Sequence, residues 1–221
     1  MKSKIEAVIF DMDGVLIDSE PLWKIAETTV FNQVGIRVSN KEMETTVGLR
    51  IDEVVDFWKE RFVNCKVSTE IIVDEIIQEM IYLIKQQGKA LSGVEQALLF
   101  FKGKGLKIGL ATSSYTKLLE CVLSTLKIEH YFDYTLSAQN VEYGKPHPQI
   151  YLETAKMLNI KPQNCLVIED SFNGMLAGLS AKMKVAVIPE KSHSTNKKLT
   201  LSDFYFTDLI ELVEYFKKND F

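Results

Sequence analysis

The sequence predicts an α/β fold, in which a doubly wound, mostly parallel sheet carries an inserted all-α domain. Three observations lead to this fold class. Short apolar runs alternate with helix-length segments over most of the chain. These runs are continuously apolar, as expected for strands that are buried on both faces. Between residues 19 and 88, apolar residues instead recur at helical spacing, without a strand-like run.

Five apolar runs predict the strands of a Rossmann-like sheet. They cover residues 4–10, 107–111, 134–138, 164–169 and 184–188. Helix-length segments separate the later runs, at residues 116–126, 148–158 and 173–181. Strands that alternate with helices in this way predict parallel pairing, with helices on both faces of the sheet.

The helical segment divides the chain into two predicted domains. Its apolar stripes are typical of helices that pack on one another, as in Ile72, Ile76, Met80 and Ile84. We predict an α/β core domain from residues 1–18 and 89–221, and a helical cap domain from residues 19–88.

Composition narrows the classes of protein and of partner. The chain has 221 residues, 46% of them hydrophobic, and a net charge of 26 − 30 = −4. This charge gives no reason to expect nucleic acid as a partner, and no window approaches about 18 consecutive apolar residues. Three widely spaced cysteines form neither a disulfide framework nor a zinc motif. We therefore expect a cytoplasmic protein, without a membrane or nucleic-acid partner and monomeric by default.

Polar side chains follow the ends of the predicted strands, where an open parallel sheet binds its ligands. The residues at these ends are Asp11 and Asp13, Thr112 and Ser113, Lys145, and Glu169 and Asp170. If the first and fourth strands are neighbours, the four carboxylates converge. Two unit charges about 4 Å apart repel by roughly 4 kcal/mol at an effective dielectric constant of about 20. A hard cation with oxygen ligands, Mg²⁺ above all, would relieve that repulsion.

The same residues suit a phosphoryl group. Lys145 offers a compact positive charge to phosphate, and Thr112 and Ser113 lie where a strand turns towards a helix N-terminus, a place that binds anions. One aspartate could attack phosphorus to give an aspartyl phosphate. The other could protonate the leaving alkoxide and later deprotonate water.

Each signal has an ordinary alternative when it stands alone. An Asp-Gly pair is typical of a turn, Thr112 and Ser113 suit helix capping, Lys145 suits a solvated surface, and acids before a helix compensate its dipole. A calcium loop is disfavoured, because Gly14 stands at position four of the loop instead of six. The order of the signals and their placement at strand ends favour one joint site.

Four ordered segments resemble the motifs of the haloacid dehalogenase superfamily: "FDMDGVLIDSE", "LATSS", "GKPHPQIY" and "VIEDSFNG". The helical insertion resembles the cap of the β-phosphoglucomutase-like branch. The resemblance implies Asp11 as nucleophile and Asp13 as general acid/base. It implies that Thr112 and the Ser113 N–H hold the phosphoryl group, and that Lys145 bridges nucleophile and phosphate.

The resemblance also implies a magnesium site. Mg²⁺ would be bound by the Asp11 side chain, the Asp13 backbone carbonyl and Asp170, with Glu169 close by or coordinating through water. The Lys145–Pro146 peptide bond is a candidate cis bond on the same grounds.

Superfamily members catalyse different reactions, so further residues of the sequence are needed to choose among these reactions. Dehalogenation is disfavoured because Asp13 and Asp170 are both present. A sugar-phosphate mutase of the β-phosphoglucomutase type is the main alternative. Trp23 occupies the position of the cap histidine of such mutases, which favours transfer of the phosphoryl group to water. A catalytically silent binding protein is a further alternative, and it would be expected to lose the nucleophile or the metal acid.

The segments "IDSEPLW" and "VGLRIDEVVDFW" are similar to sugar-phosphate phosphatases described as 2-deoxyglucose-6-phosphatases or hexitol phosphatases. We therefore expect a Mg²⁺-dependent phosphatase that acts on small phosphosugars or phosphopolyols. Glu20, Trp23 and Arg50 are the candidates for substrate contact from the cap. Trp23 equally suits the core of the cap, and Arg50 equally suits pairing with a nearby acid such as Asp52 or Glu53.

Overall fold

The computed structural model describes residues 4–43, 45–46, 48–189 and 197–219. Within them, one fully parallel sheet has the strand order β3-β2-β1-β4-β5-β6. The strands are β1 (Ala7–Phe10), β2 (Lys107–Thr112), β3 (Tyr134–Ser137), β4 (Cys165–Glu169), β5 (Lys184–Val187) and β6 (Phe204–Tyr205). The predicted fold class, a parallel Rossmann-like sheet with helices around it, is confirmed.

Helices cover both faces of the sheet. The helices that follow residue 90 are α5 (Val94–Gly103), α6 (Thr116–Leu126), α7 (Gln149–Met157), α8 (Phe172–Ser180) and α9 (Leu209–Lys218). Along β1, Val8 and Phe10 point into the apolar cluster that contains α5, α6 and α9, whereas Ala7 and Ile9 point into the cluster with α7 and α8. Both sets are fully buried, which explains why the strand runs lack polar alternation.

In the described residues, four helices lie between β1 and α5, and we call them the cap. They are α1 (Glu20–Gln33), α2 (Asn40–Met43), α3 (Ile51–Arg61) and α4 (Thr69–Gln87). The longest, α4, begins at the N-cap Ser68, whose hydroxyl accepts the Ile71 N–H, and it buries a stripe through Ile72, Ile76 and Met80. A helical insertion is therefore present, while the domain boundaries at 18/19 and 88/89 stay a prediction.

The two chain segments that join the cap to the core run side by side. Ile17 is fully buried and bridges to both Asp13 and Ala90. Beside it, the Asp18 N–H donates to the Lys89 carbonyl at 3.2 Å. This double connection immediately precedes α1, where the Ser19 hydroxyl contacts Asp13 beyond the end of β1.

The structure adds one strand that the sequence did not predict. Strand β6 has only two residues and lies at the sheet edge, parallel to β5. No helix in the described part of the chain combines the length and apolar character needed to cross a membrane. The cytoplasmic location and the monomeric state stay predictions.

Candidate active site

The candidate site lies where the strand order reverses. The chain winds outward from β1 through β2 to β3 and then crosses back to β4, which pairs with β1. Phe10 pairs with Ile168, and the Asp11 N–H donates to the Ile168 carbonyl at 2.9 Å. The residues after the two strands therefore meet at the switch point, the usual ligand position of such sheets.

Three carboxylates and one ammonium group form the buried centre. One oxygen each from Asp11, Glu169 and Asp170 lie within 4.8 Å of one another. Lys145 Nζ lies 2.8 Å from Asp11 Oδ1 and 2.7 Å from Glu169 Oε1, and only 2% of its side chain is exposed. The sequence prediction that these four residues share one site agrees with this geometry. The Lys145–Pro146 bond is cis.

Glu169 is held by several donors. The Tyr151 hydroxyl donates to Oε1 at 2.6 Å, and the Ser171 N–H and hydroxyl donate to Oε2 at 3.1 and 3.0 Å. Gly174 leaves the space that this carboxylate fills, because a Cβ at that position would lie 1.7 Å from Oε1. Since both oxygens already accept hydrogen bonds, the geometry suits Glu169 for orienting Lys145.

The electrostatics of the centre favour a cation. Burial raises the pKa of Asp11 to about 7, although the nearby Lys145 opposes this. Burial and the neighbouring charges of Glu169 and Asp11 raise the pKa of Asp170 well above its ordinary value. Burial would lower the pKa of Lys145, but the two carboxylates outweigh burial and raise it. One lysine therefore faces three buried acids. Ionisation of all three acids would leave negative charge that the lysine does not neutralise.

Asp170 is the acid of the centre whose carboxylate has the fewest hydrogen-bonding and ion-pair partners among the described residues. Within the described residues its carboxylate accepts no hydrogen bond and makes no ion pair. Gly14, at a φ of +71°, makes room for it, since a Cβ there would lie 2.2 Å from Asp170 Oδ2. Asp11 and Asp170 thus offer oxygen ligands to a divalent cation, and the donor set fits a hard ion.

Asp13 faces a ring of donors. Oδ1 accepts from the Ser19 hydroxyl at 2.5 Å and from Trp23 Nε1 at 3.1 Å, and Oδ2 accepts from the Ser114 hydroxyl at 2.7 Å. Asp13 is absent from the side-chain cluster of possible metal ligands. A metal contact through its backbone carbonyl therefore stays a prediction.

The end of β2 and the loop after it border the same cavity. Thr112 and Ser113 both line it, and the Thr112 hydroxyl accepts the Ser114 N–H at 3.0 Å. Helix α6 begins only at Thr116. Two residues therefore separate Ser113 from the helix, and an anion site at Thr112 and Ser113 stays a prediction.

The cap closes the other side of the cavity. Glu20 and Trp23 line it, and Glu20 also pairs with Lys24 at 2.5 Å. Arg50 is absent from the lining, and its guanidinium makes two hydrogen bonds of 2.7 Å to Asp52. Glu20 and Trp23 therefore face the cavity and Arg50 does not line it, while substrate contact by any of the three stays a prediction.

Three residues of the site escaped the sequence prediction. Ser19 and Ser114 orient Asp13, and Tyr151 orients Glu169. The Ser19 hydroxyl had a possible signal, because it directly precedes the proposed contact residue Glu20 in the first motif. Ser114 and Tyr151 each end a quoted motif, "LATSS" and "GKPHPQIY", but their partners lie 101 and 18 residues away in sequence.

The fold and the site together define a member of the haloacid dehalogenase-like hydrolases. The model of this family matches residues 5–182, and the chain belongs to it. The chain is 40% identical over 210 residues to hexitol phosphatase B of Escherichia coli K12, covering 95% of each protein. It is 36% identical over 177 residues to a phosphorylated carbohydrates phosphatase of Thermotoga maritima, covering 80% of this chain and 82% of that one.

A solved structure agrees with the fold. The β-phosphoglucomutase of Clostridium difficile superposes with a TM-score of 0.83 and 31% sequence identity, over 97% of this chain and 96% of that one.

Proposed function

We propose that the protein is a Mg²⁺-dependent phosphatase that hydrolyses small phosphosugars or phosphopolyols through an aspartyl phosphate. One observation carries this proposal: Asp11, Lys145 and Asp170 meet beside Asp13 at the floor of a single cavity. The relatives named above, two of them phosphatases of hexitols and of phosphorylated carbohydrates, support the substrate class.

Asp11 is the proposed nucleophile. Its Oδ1 is fixed by Lys145, which leaves Oδ2 for attack on phosphorus. Asp11, Asp170 and the Asp13 carbonyl would hold Mg²⁺, which when bound neutralises the charge of the phosphate and of the two acids. Burial raises the pKa of Asp11 to about 7, so a bound cation also favours the ionised form that attacks.

Asp13 is the proposed general acid and base. It would give a proton to the leaving sugar oxygen and later accept one from the water that hydrolyses the aspartyl phosphate. The three donors from Ser19, Trp23 and Ser114 fix its orientation. Ser113 and Thr112 line the cavity where they can bind the transferred phosphoryl group.

A sugar-phosphate mutase is the second candidate, favoured by the likeness to β-phosphoglucomutase. A mutase returns the phosphoryl group to a sugar hydroxyl, so the two reactions differ in phosphate release. Trp23 favours hydrolysis, because an indole N–H donates a hydrogen bond but cannot exchange a proton with a sugar hydroxyl.

The test is a phosphosugar panel. Purified protein is assayed for phosphate release from hexitol 6-phosphates, glucose 6-phosphate and 2-deoxyglucose 6-phosphate, with Mg²⁺ and with EDTA. We expect Mg²⁺-dependent release from at least one ester. Turnover of β-glucose 1-phosphate to glucose 6-phosphate without phosphate release would instead establish the mutase. No turnover of any ester would favour the silent binding protein.

A further inference from the structure

One face of helix α1 forms a polar wall of the cavity. Glu20, Trp23, Lys24 and Glu27 all line it, at the spacing of three or four residues that places side chains on one side of a helix. Glu20 and Lys24 pair with each other, and Trp23 donates to Asp13. Glu27 is different, because its carboxylate makes no hydrogen bond or ion pair to the described residues.

Glu27 lies away from the reacting centre. It is four residues beyond Trp23, which corresponds to about 6 Å along the helix axis. Since Trp23 Nε1 contacts Asp13, the level of Trp23 marks the leaving oxygen of a substrate. Glu27 therefore stands where the end of the substrate distant from the phosphate would lie.

Much of the remaining cavity lining from the cap is apolar. Thr28 Oγ1 lies 3.9 Å from Met43 Sδ, which places Met43 beside this part of α1. Leu49, Ile51 and Val54 continue the lining, while the Thr46 hydroxyl donates to the Met43 carbonyl. Burial among such groups raises the pKa of Glu27 to about 7, with no nearby charge to oppose it. Because no described residue pairs with this carboxyl group, it is available to a molecule bound in the cavity.

We propose that Glu27 binds hydroxyl groups at the end of the substrate distant from the phosphate, and so selects polyhydroxylated esters over apolar ones. This inference rests on the proposed phosphatase function and names the residue that reads the sugar portion. A pocket that hydrogen-bonds a substrate hydroxyl discriminates strongly against an analogue that lacks it, since the polar group of the site is then left unpaired.

The test compares two esters of equal chain length, sorbitol 6-phosphate and n-hexyl phosphate, with wild type, Glu27→Gln and Glu27→Leu. We expect Glu27→Leu to lower kcat/KM for sorbitol 6-phosphate by about 10- to 100-fold and to leave n-hexyl phosphate within about threefold. Glu27→Gln keeps hydrogen-bonding capacity, so its kcat/KM for sorbitol 6-phosphate should lie between those of wild type and Glu27→Leu. Glu75→Gln and Glu75→Leu are the matched controls, because Glu75 is exposed on α4 and does not line the cavity.

The outcomes separate the two proposals. An equal loss for both esters, or no change for either, overturns the role of Glu27 while the phosphatase function stands. A wild-type protein that hydrolyses neither ester, nor any phosphosugar, overturns the function and this inference with it. If Glu27→Leu fails to fold, Glu27→Gln alone must still shift the ratio of the two esters.

Discussion

In the described part of the chain, Lys145 is the single cation among the three buried acids of the centre. Replacing it with the uncharged, similar-sized methionine should therefore lower the free energy of unfolding. Its Nζ lies 2.8 Å from Asp11 and 2.7 Å from Glu169, with the side chain almost fully buried. Removing one member of a buried ion pair costs about 3–5 kcal/mol, because the partner charge stays buried without compensation. Lys145 compensates two partners, so we expect the upper end of that range at pH 8 in the absence of metal.

The size of this effect can be measured by urea unfolding in EDTA. For a chain of this length, a loss of about 5 kcal/mol corresponds to a fall in Tm of roughly 10–20 °C. The deficit should shrink between pH 8 and pH 5, since the pKa of Asp11 is already raised to about 7 and protonation removes the uncompensated charge. Below that pKa the protonated acid no longer needs a cation.

Lys184→Met is the matched control. Lys184 pairs with Asp203 at the surface, where half of the lysine side chain is exposed, and such pairs contribute about 0–1 kcal/mol. If Lys145→Met costs no more than Lys184→Met at pH 8, the buried charges do not depend on Lys145 and the reasoning is refuted.

Three further predictions concern the surroundings of the centre. Trp23→Phe removes the N–H that orients the proposed general acid/base and should lower kcat about tenfold. Trp58→Phe, whose buried Nε1 has no partner among the described residues, should leave kcat unchanged. Gly174→Ala places a methyl group 1.7 Å from Glu169 Oε1 and should lower the free energy of unfolding by about 1–3 kcal/mol, measured in urea; an unchanged midpoint would contradict it. Glu27→Gln should gain stability over wild type as pH rises from about 4.5 to about 7, because burial raises the pKa of the folded acid and ionising it costs up to about 3 kcal/mol; parallel stability profiles from pH 5 to pH 8 would contradict this.

Much of the sheet was predictable because its strands are continuously apolar. The run at 107–111 matches β2 to within one residue, and the runs at 134–138, 164–169 and 184–188 match their strands equally well. Strand β6 was not predictable, because two residues at the sheet edge are too few to show a hydrophobic pattern. The strand order also has no local signal, since it depends on how distant helices pack.

The site was predictable where the strand ends decide it. The meeting of Asp11 with Glu169 and Asp170 followed once β1 and β4 were taken as neighbours, which the sheet bears out. Tyr151 was missed because its bond to Glu169 joins a helix face to a strand end. Glu27 was missed because only the folded structure shows that this position of α1 lines the cavity.

The central claim is that Asp11 attacks phosphorus, and Asp11→Asn tests it most directly. Phosphate release from a hexitol 6-phosphate in Mg²⁺ is compared for wild type, Asp11→Asn and Asp18→Asn, with far-UV circular dichroism as the check of folding. Asp18 is the matched control, because it lies exposed on the same loop, outside the cavity lining. We predict release at the background rate for Asp11→Asn and at the wild-type rate for Asp18→Asn. A folded Asp11→Asn variant that still turns over the ester like Asp18→Asn would contradict the assignment of the nucleophile.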